Sequence, residues 1–129
     1  MNAASFPLPA AEIDGVIART SFDDRGLVPV IVTQYDTREV LMLAYMNAES
    51  LRMTLTDGRV VYWSRSRSAL WRKGDTSGNT QRLVSFALDC DADTILIRVD
   101  QQGPACHTGT RTCFDGDQHA RDFQAHDNA

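Results

Sequence analysis

Apolar and β-branched residues in the middle of the chain gather in short runs typical of β-strands. The predicted strands are VPVIVTQY (28–35), VLMLAYM (40–46), RVVYWSRS (59–66), QRLVSFALDC (81–90) and TILIRVDQ (94–101). The first two runs flank the turn-forming segment DTRE and are predicted to form a β-hairpin. The segment SALWRKGDTSGNT is predicted to be a loop between strands.

Helix signals are confined to two short segments. Asn47 is a good N-cap, the AESLRMTL that follows contains helix formers with apolar spacing, and Gly58 can end a helix in the left-handed conformation. A second short helix is predicted near Ala10 to Ala18. These two segments predict one or two short helices beside the strands.

Together these elements predict the fold class. We expect a mainly β (α+β) protein, with a small antiparallel, barrel-like sheet and one or two short helices. The length of 129 residues falls within the usual size of one domain, so residues 1–129 are predicted to form a single domain. Residues 1–25 are expected to be a lead-in, and residues 115–129 a polar tail without periodicity.

Composition and charge narrow the class of protein. Hydrophobic residues make up 43% and charged residues 23%, which is typical of soluble globular proteins. No apolar run approaches the roughly 18 residues of a membrane span, and the first residues lack the basic and apolar regions of a signal peptide. Three cysteines cannot all pair within one chain, which favours a reducing, cytoplasmic location. A net charge of -4 argues against an extended nucleic-acid surface, so neither a nucleic acid nor a membrane is an expected partner.

The cysteines Cys90, Cys106 and Cys113 are candidate metal ligands. Thiolates suit zinc, and three protein ligands with a fourth position for water are typical of catalytic zinc. The spacing forms no CxxC knuckle, and any lone cysteine can equally be a small core residue, although the neighbours of Cys106 and Cys113 do not resemble a core. Strand alternation places Val84, Phe86, Leu88 and Cys90 on one face of the predicted strand, so Val84 and Cys90 are expected to face apolar surroundings. His107, next to Cys106, is a candidate ligand, general base or structural histidine.

Three aspartates, Asp89, Asp91 and Asp93, surround Cys90. In an extended strand the first and third would stand about 13 Å apart, too far for one ion. If the chain curls after Ala92, the carboxylates converge, and clustered oxygen ligands suit a hard cation such as magnesium. The alternative is a solvated acidic turn between two strands.

The segment between the third and fourth predicted strands combines arginine and lysine with hydroxyl groups and glycine. Glycine lets backbone amides approach an anion, and arginine and lysine form charge-assisted hydrogen bonds, so this composition favours phosphate binding. Trp63 and Trp71 are candidates for stacking on a base. The alternative is an exposed polar hairpin loop with tryptophans packed beneath it.

Four segments occur in an order that resembles the phosphoribosyl-AMP cyclohydrolases of histidine biosynthesis. They are VLMLAYMN, YWSRSRSALWRKGDTSGNTQ, the DCDAD run and CHTGTRTC, and the similarity extends from about residue 26 to residue 114. The resemblance implies hydrolysis of the N1–C6 bond of the adenine ring in phosphoribosyl-AMP, which opens the purine to an imidazole carboxamide nucleotide.

The resemblance also implies cofactors, partners and residue roles. One zinc ion per subunit is expected at Cys90, Cys106 and Cys113, and one magnesium ion per subunit at Asp89, Asp91 and Asp93. An intertwined homodimer with active sites built from both subunits is implied. Zinc-activated water is expected to attack C6. We hypothesise that His107 moves the proton. The expected substrate-binding residues are Arg65, Arg67, Trp71, Lys73, Thr76, Ser77, Gly78, Asn79 and Arg111.

Three other functions compete with this interpretation. A zinc nucleobase deaminase performs a related attack on a ring carbon, but its HxE and PCxxC signature is absent from the sequence. A zinc-stabilised nucleic-acid-binding module would use the arginine-rich segment and stacking tryptophans, which the net negative charge disfavours. Metals that only stabilise a dimer of small subunits are a third possibility, and this role is compatible with catalysis.

Overall fold

The computed structural model describes residues 6–106 and 109–123. These residues form two helices and six strands: α1 (Ala10–Arg19), β1 (Val28–Gln34), β2 (Val40–Met46), α2 (Ala48–Asp57), β3 (Val61–Ser64), β4 (Ala69–Arg72), β5 (Gln81–Leu88) and β6 (Ile95–Gln101). Neither helix within these ranges is long and apolar enough to cross a membrane. His107 lies outside the described residues.

The strands form one four-stranded sheet in the order β2-β1-β6-β5 and a separate sheet of β3 and β4. The mainly β, α+β prediction is confirmed. Two details differ from the predicted antiparallel, barrel-like sheet. β1 pairs in parallel with β6, and the sheets do not close into a barrel. A parallel pair needs a long crossover, and here the chain passes through β2, α2, the small sheet and β5 before β6 returns beside β1.

Two predicted local features are confirmed by their hydrogen bonds. β1 and β2 form the antiparallel hairpin, with Val28 opposite Met46. At the start of α2 the Asn47 side chain accepts a hydrogen bond from the Ser50 amide at 2.8 Å, and the Ser50 hydroxyl accepts one from the Asn47 amide at 2.9 Å. Gly58, with φ of 76°, ends the helix in the left-handed conformation.

The loop predicted before the fourth strand contains an additional strand, β4. It pairs with β3 in a short hairpin, with Trp71 opposite Tyr62 and Leu70 opposite Trp63. The sequence did not predict this strand, because its neighbours are polar and its pairing depends on β3. Across the hairpin the Tyr62 and Trp71 ring centroids are 5.6 Å apart, a cross-strand contact that favours the pairing.

The hydrophobic core lies on one face of the four-stranded sheet, where alternate residues of each strand point inward. From the sheet come Val28, Val30, Val32, Ile95, Ile97 and Val99; the helices and the small sheet contribute Ile13, Leu51, Leu55 and Tyr62. The other face carries Pro29, Ile31, Leu43, Tyr45 and Leu96, of which Leu43 is 53% exposed and the rest are half-buried. In a single chain this second face is therefore both apolar and open to solvent.

Strand β5 departs from simple alternation at a β-bulge between Leu83 and Ser85. Leu83 and Phe86 pack on the core, whereas Val84 is 51% exposed, because a bulge inserts one residue and moves the next side chain to the other face. The strand ends at Leu88, and Cys90 is exposed. The predictions that Val84 and Cys90 face apolar surroundings are therefore wrong.

Candidate functional site

Residues Asp89–Asp93, here called the acidic turn, join β5 to β6. Ala92 has φ of 62° and curls the chain, the Ala92 amide donates to the Asp89 carbonyl at 3.1 Å, and the Asp89 amide donates to the Thr94 carbonyl at 3.0 Å. One carboxylate oxygen from each of Asp89, Asp91 and Asp93 lies within 4.8 Å of the others. The chain therefore curls at Ala92, which is the condition under which the three carboxylates were expected to converge.

The three carboxylates influence one another electrostatically. Hydrogen bonds from Asp93 and Asp89, together with the charge of Asp89, raise the pKa of Asp91. Desolvation acts to raise the pKa of Asp89 as well, but hydrogen bonds from Asp91, Asp93 and Thr94 outweigh it and lower that pKa. A hard divalent cation relieves the repulsion of such a cluster, and its oxygen donors are those that magnesium prefers.

Residues 104–114, here called the cysteine loop, follow β6 and carry Cys106 and Cys113. The Ala105 amide donates to the Arg111 carbonyl at 3.0 Å, so the loop folds back on itself, and the Cys113 amide donates to the Leu41 carbonyl at 2.8 Å. The two thiols interact directly. Burial first, and then the charge and hydrogen bond of Cys106, raise the pKa of Cys113, while the positive charge of Lys73 opposes this.

Cys90 does not join the other two cysteines within one chain. Leu88 pairs with Ile95 at one end of the β5–β6 ladder and Gln81 pairs with Gln101 at the other, so Cys90 and the cysteine loop follow opposite ends. β6 has seven residues, which makes this ladder roughly 20 Å long at about 3.3 Å per residue. Two sulfur ligands of one zinc ion lie no more than about 4.6 Å apart.

A cavity of about 670 Å³ opens between the cysteine loop and the segment that runs from β4 to Asn79. This volume is within the usual range of small-molecule sites. Most of the predicted substrate residues lie in its wall, facing the two cysteines: Arg67, Trp71, Lys73, Thr76, Ser77 and Asn79, opposite Cys106 and Cys113. Gly78, with φ of 79°, belongs to the same turn.

Besides Gly78, two predicted substrate residues, Arg65 and Arg111, do not line the cavity. The Arg65 guanidinium lies 3.9 Å from the centroid of the Tyr45 ring. Arg111 is exposed, and its Nε donates to the Glu39 carboxylate at 2.8 Å. Within a single chain, the two arginine side chains therefore contact Tyr45 and Glu39 and do not line the cavity.

Lys73 occupies the inner wall of the cavity rather than its mouth. It is only 4% exposed, and its Nζ donates to the Ala105 carbonyl at 3.0 Å. Burial lowers the pKa of Lys73, while the negative charges of Cys113 and Cys106 act to raise it. The sequence placed Lys73 in the site but did not predict its burial.

A buried polar network supports the cysteine loop and was not identified from the sequence. The Tyr62 hydroxyl donates to Gln81 Oε1 at 2.6 Å, Gln81 Nε2 donates to Gln101 Oε1 at 3.0 Å, and Gln101 Nε2 donates to the Arg111 carbonyl at 3.1 Å. Burial, and secondarily the charge of Cys113, raise the pKa of Tyr62 well above its usual value. The sequence signal that could have indicated this network is a pair of glutamines, Gln81 and Gln101, at inward-facing positions of two predicted strands.

Comparison with known proteins agrees with the resemblance in sequence. The family model described as phosphoribosyl-AMP cyclohydrolase matches residues 42–115, which include the acidic turn and both cysteines of the cysteine loop. A protein of that name from Clavibacter michiganensis subsp. michiganensis (strain NCPPB 382) is 65% identical over 113 residues, covering 88% of this chain and 86% of the relative. Proteins of the same name from Micrococcus luteus and Thermobifida fusca (strain YX) are 64% and 63% identical over 103 residues, covering 80% of this chain and 82% and 89% of the relatives. This chain therefore belongs to the phosphoribosyl-AMP cyclohydrolase family.

Proposed function

We propose that this chain hydrolyses the N1–C6 bond of the adenine ring of phosphoribosyl-AMP, the third step of histidine biosynthesis. The observation that carries the proposal is the family match over residues 42–115, which spans the wall of the 670 Å³ cavity and its two facing cysteines. A relative of that name is 65% identical over 88% of this chain. We also propose a cytoplasmic location, because thiolate ligands need a compartment in which cysteines stay reduced.

We propose that zinc binds at Cys106 and Cys113 of one subunit and Cys90 of a second. Sulfur donors fit zinc, and the thiols of Cys106 and Cys113 already interact at the cavity wall. Zinc, when bound, supplies a Lewis acid that makes water a nucleophile near neutral pH. His107 directly follows Cys106 in the sequence, and we retain it as the proton carrier.

Two observations support a homodimer with shared sites. Cys90 is separated from the cysteine loop by a ladder of roughly 20 Å, so a second copy is needed to complete a three-cysteine site. The apolar outer face of the four-stranded sheet, with Leu43 53% exposed, also offers a surface that a second copy would bury.

We propose that magnesium binds at the acidic turn. The three carboxylates fit a hard cation, and Cys90 lies between Asp89 and Asp91. A partner that donates Cys90 to the cavity would therefore bring its acidic turn to the same cavity.

The cavity wall suggests how substrate is held. Trp71 offers a ring for stacking on the purine, Arg67 a guanidinium for phosphate, and the turn from Thr76 to Asn79 hydroxyl and amide donors. Arg65 and Arg111 are engaged with Tyr45 and Glu39, so we limit the proposed set to the cavity wall and its turn.

The activity is tested by following absorbance when the purified protein is mixed with phosphoribosyl-AMP, before and after chelation and after zinc addition. We expect turnover that chelation abolishes and zinc restores. Absence of turnover by folded, zinc-loaded protein would contradict the proposal.

The shared site is tested by mixing two inactive variants, Cys90→Ser and Cys106→Ser, under conditions that exchange subunits. Each mixed dimer contains one intact site and one doubly altered site, so random exchange should restore about a quarter of wild-type activity. Each variant exchanged with itself is the control. No recovery despite demonstrated exchange would show that all three cysteines act within one chain.

A further inference from the structure

Hydrogen bonds within the protein hold both the side chain and the backbone of Lys73. Its side chain is buried, and its Nζ donates to the Ala105 carbonyl at 3.0 Å. Its own amide donates to the Val60 carbonyl, and its carbonyl accepts a hydrogen bond from the Arg59 guanidinium, both at 3.1 Å. The ammonium group of Lys73 is therefore already engaged with the protein in the absence of substrate.

The buried charge of Lys73 has thiols, not carboxylates, as its counterpart. Within residues 6–106 and 109–123, no carboxylate oxygen forms an ion pair with Lys73 Nζ. A buried ammonium is costly unless an anion balances it. Lys73, Cys106 and Cys113 line the same cavity, and the Ala105 carbonyl that accepts from Lys73 Nζ directly precedes Cys106. These two thiols become thiolates when they bind a metal, and they then supply the negative charge next to Lys73.

We propose that Lys73 is a positioning residue for the zinc site: its ammonium balances the thiolates and fixes the cysteine loop through the Ala105 carbonyl. This inference depends on the zinc site proposed above. Three thiolates on one divalent cation leave a net charge of minus one, which a single buried ammonium offsets. Groups outside the metal's own ligands commonly orient those ligands and tune metal affinity.

The proposal changes the role expected for Lys73 from the sequence alone. Phosphate recognition then falls to groups nearer the solvent, namely Arg67 and the turn from Thr76 to Asn79, which are exposed or half-buried. Loss of Lys73 should consequently alter zinc retention, while loss of a phosphate ligand should alter mainly KM.

Two substitutions separate the charge of Lys73 from its hydrogen bond. Lys73→Gln keeps an N–H donor, on a side chain one atom shorter, but removes the charge, and Lys73→Met removes both. Arg72→Gln is the matched control, because Arg72 is a cation of the same cavity wall whose side chain is 41% exposed and lies 3.7 Å from Asp75. Zinc affinity is measured by competition with a chromophoric chelator, alongside thermal unfolding of the zinc-free proteins and KM and kcat of the loaded ones.

We expect both Lys73 variants to bind zinc about 10- to 100-fold more weakly than wild type, and Arg72→Gln to bind it within about twofold. The zinc-free Lys73→Gln protein should unfold at or above the wild-type temperature, since it no longer buries an ammonium but keeps an N–H donor. If Lys73 only stabilised the fold, its variants would unfold at a lower temperature than wild type and would keep wild-type zinc affinity.

Wild-type zinc affinity in Lys73→Gln, with a raised KM, would overturn the proposal in favour of phosphate binding. If Lys73→Met does not fold, Lys73→Gln decides the question. Failure of the wild-type protein to bind zinc through its cysteines would instead overturn the zinc site itself, and with it this inference.

Discussion

The acidic turn and the cysteine loop lie at opposite ends of the β5–β6 ladder and are held by different kinds of contact. The acidic turn is shaped mainly by hydrogen bonds among neighbouring residues and by the left-handed conformation of Ala92, and it has one distant contact, from the Ser21 amide to the Ala92 carbonyl at 2.7 Å. The cysteine loop is held by distant partners: Leu41 on β2, Lys73 after β4 and Gln101 on β6. A cluster of ligands can therefore be local in one part of a small protein and depend on the whole fold in another.

The largest expected effect comes from a cysteine of the loop. Cys113→Ser should lower kcat/KM by at least about a thousandfold, because a serine hydroxyl does not replace the thiolate ligand and the activated water is lost. Zinc content and steady-state kinetics measure this effect. Magnesium affinity should equal that of the zinc-free wild-type protein, because Asp89, Asp91 and Asp93 are intact. Asp115→Asn, an exposed substitution two residues further on, is the control. Full zinc content and turnover in Cys113→Ser would contradict the proposed site.

A smaller effect is expected from the network beneath the loop. Gln101→Leu leaves the Gln81 amide and the Arg111 carbonyl without their partner, which should lower the free energy of unfolding by about 1–3 kcal/mol. Zinc affinity should fall with it, whereas magnesium affinity should not. Chemical denaturation and metal titration measure both, and Gln102→Leu, at the exposed neighbouring position, is the matched control. Equal effects of the two substitutions would mean that the network does not support the loop.

The smallest effect is expected in the acidic turn, and it should be local. Ala92→Val places a β-branched residue at φ of 62° and should cost about 1–2 kcal/mol of folding free energy and weaken magnesium binding. Ala92→Gly at the same position should gain up to about 1 kcal/mol. Thermal unfolding and magnesium titration test the pair. If valine and glycine behave alike, the left-handed residue does not determine the shape of the turn.

The sequence predicted several elements well because their signals are local. The cap at Asn47 and the terminator at Gly58 specify α2 from within its own turns, and the short DTRE connection specifies the β1–β2 hairpin. Elements that depend on distant partners were missed. β4 was predicted as loop because its pairing with β3 is not visible in its own polar surroundings, and the bulge at Val84 reversed the expected side-chain alternation.

The same distinction applies to the candidate site. The residue types, their order and the convergence of the three aspartates after a curl could all be stated from the sequence, since these depend on neighbouring residues. Tertiary structure alone decided that Lys73 is buried beside Cys106 and Cys113, that two glutamines connect the core to the cysteine loop, and that Cys90 lies at the far end of the ladder. The physical reason is that burial and long-range hydrogen bonds are properties of packed elements, and one chain segment does not contain the partners that create them.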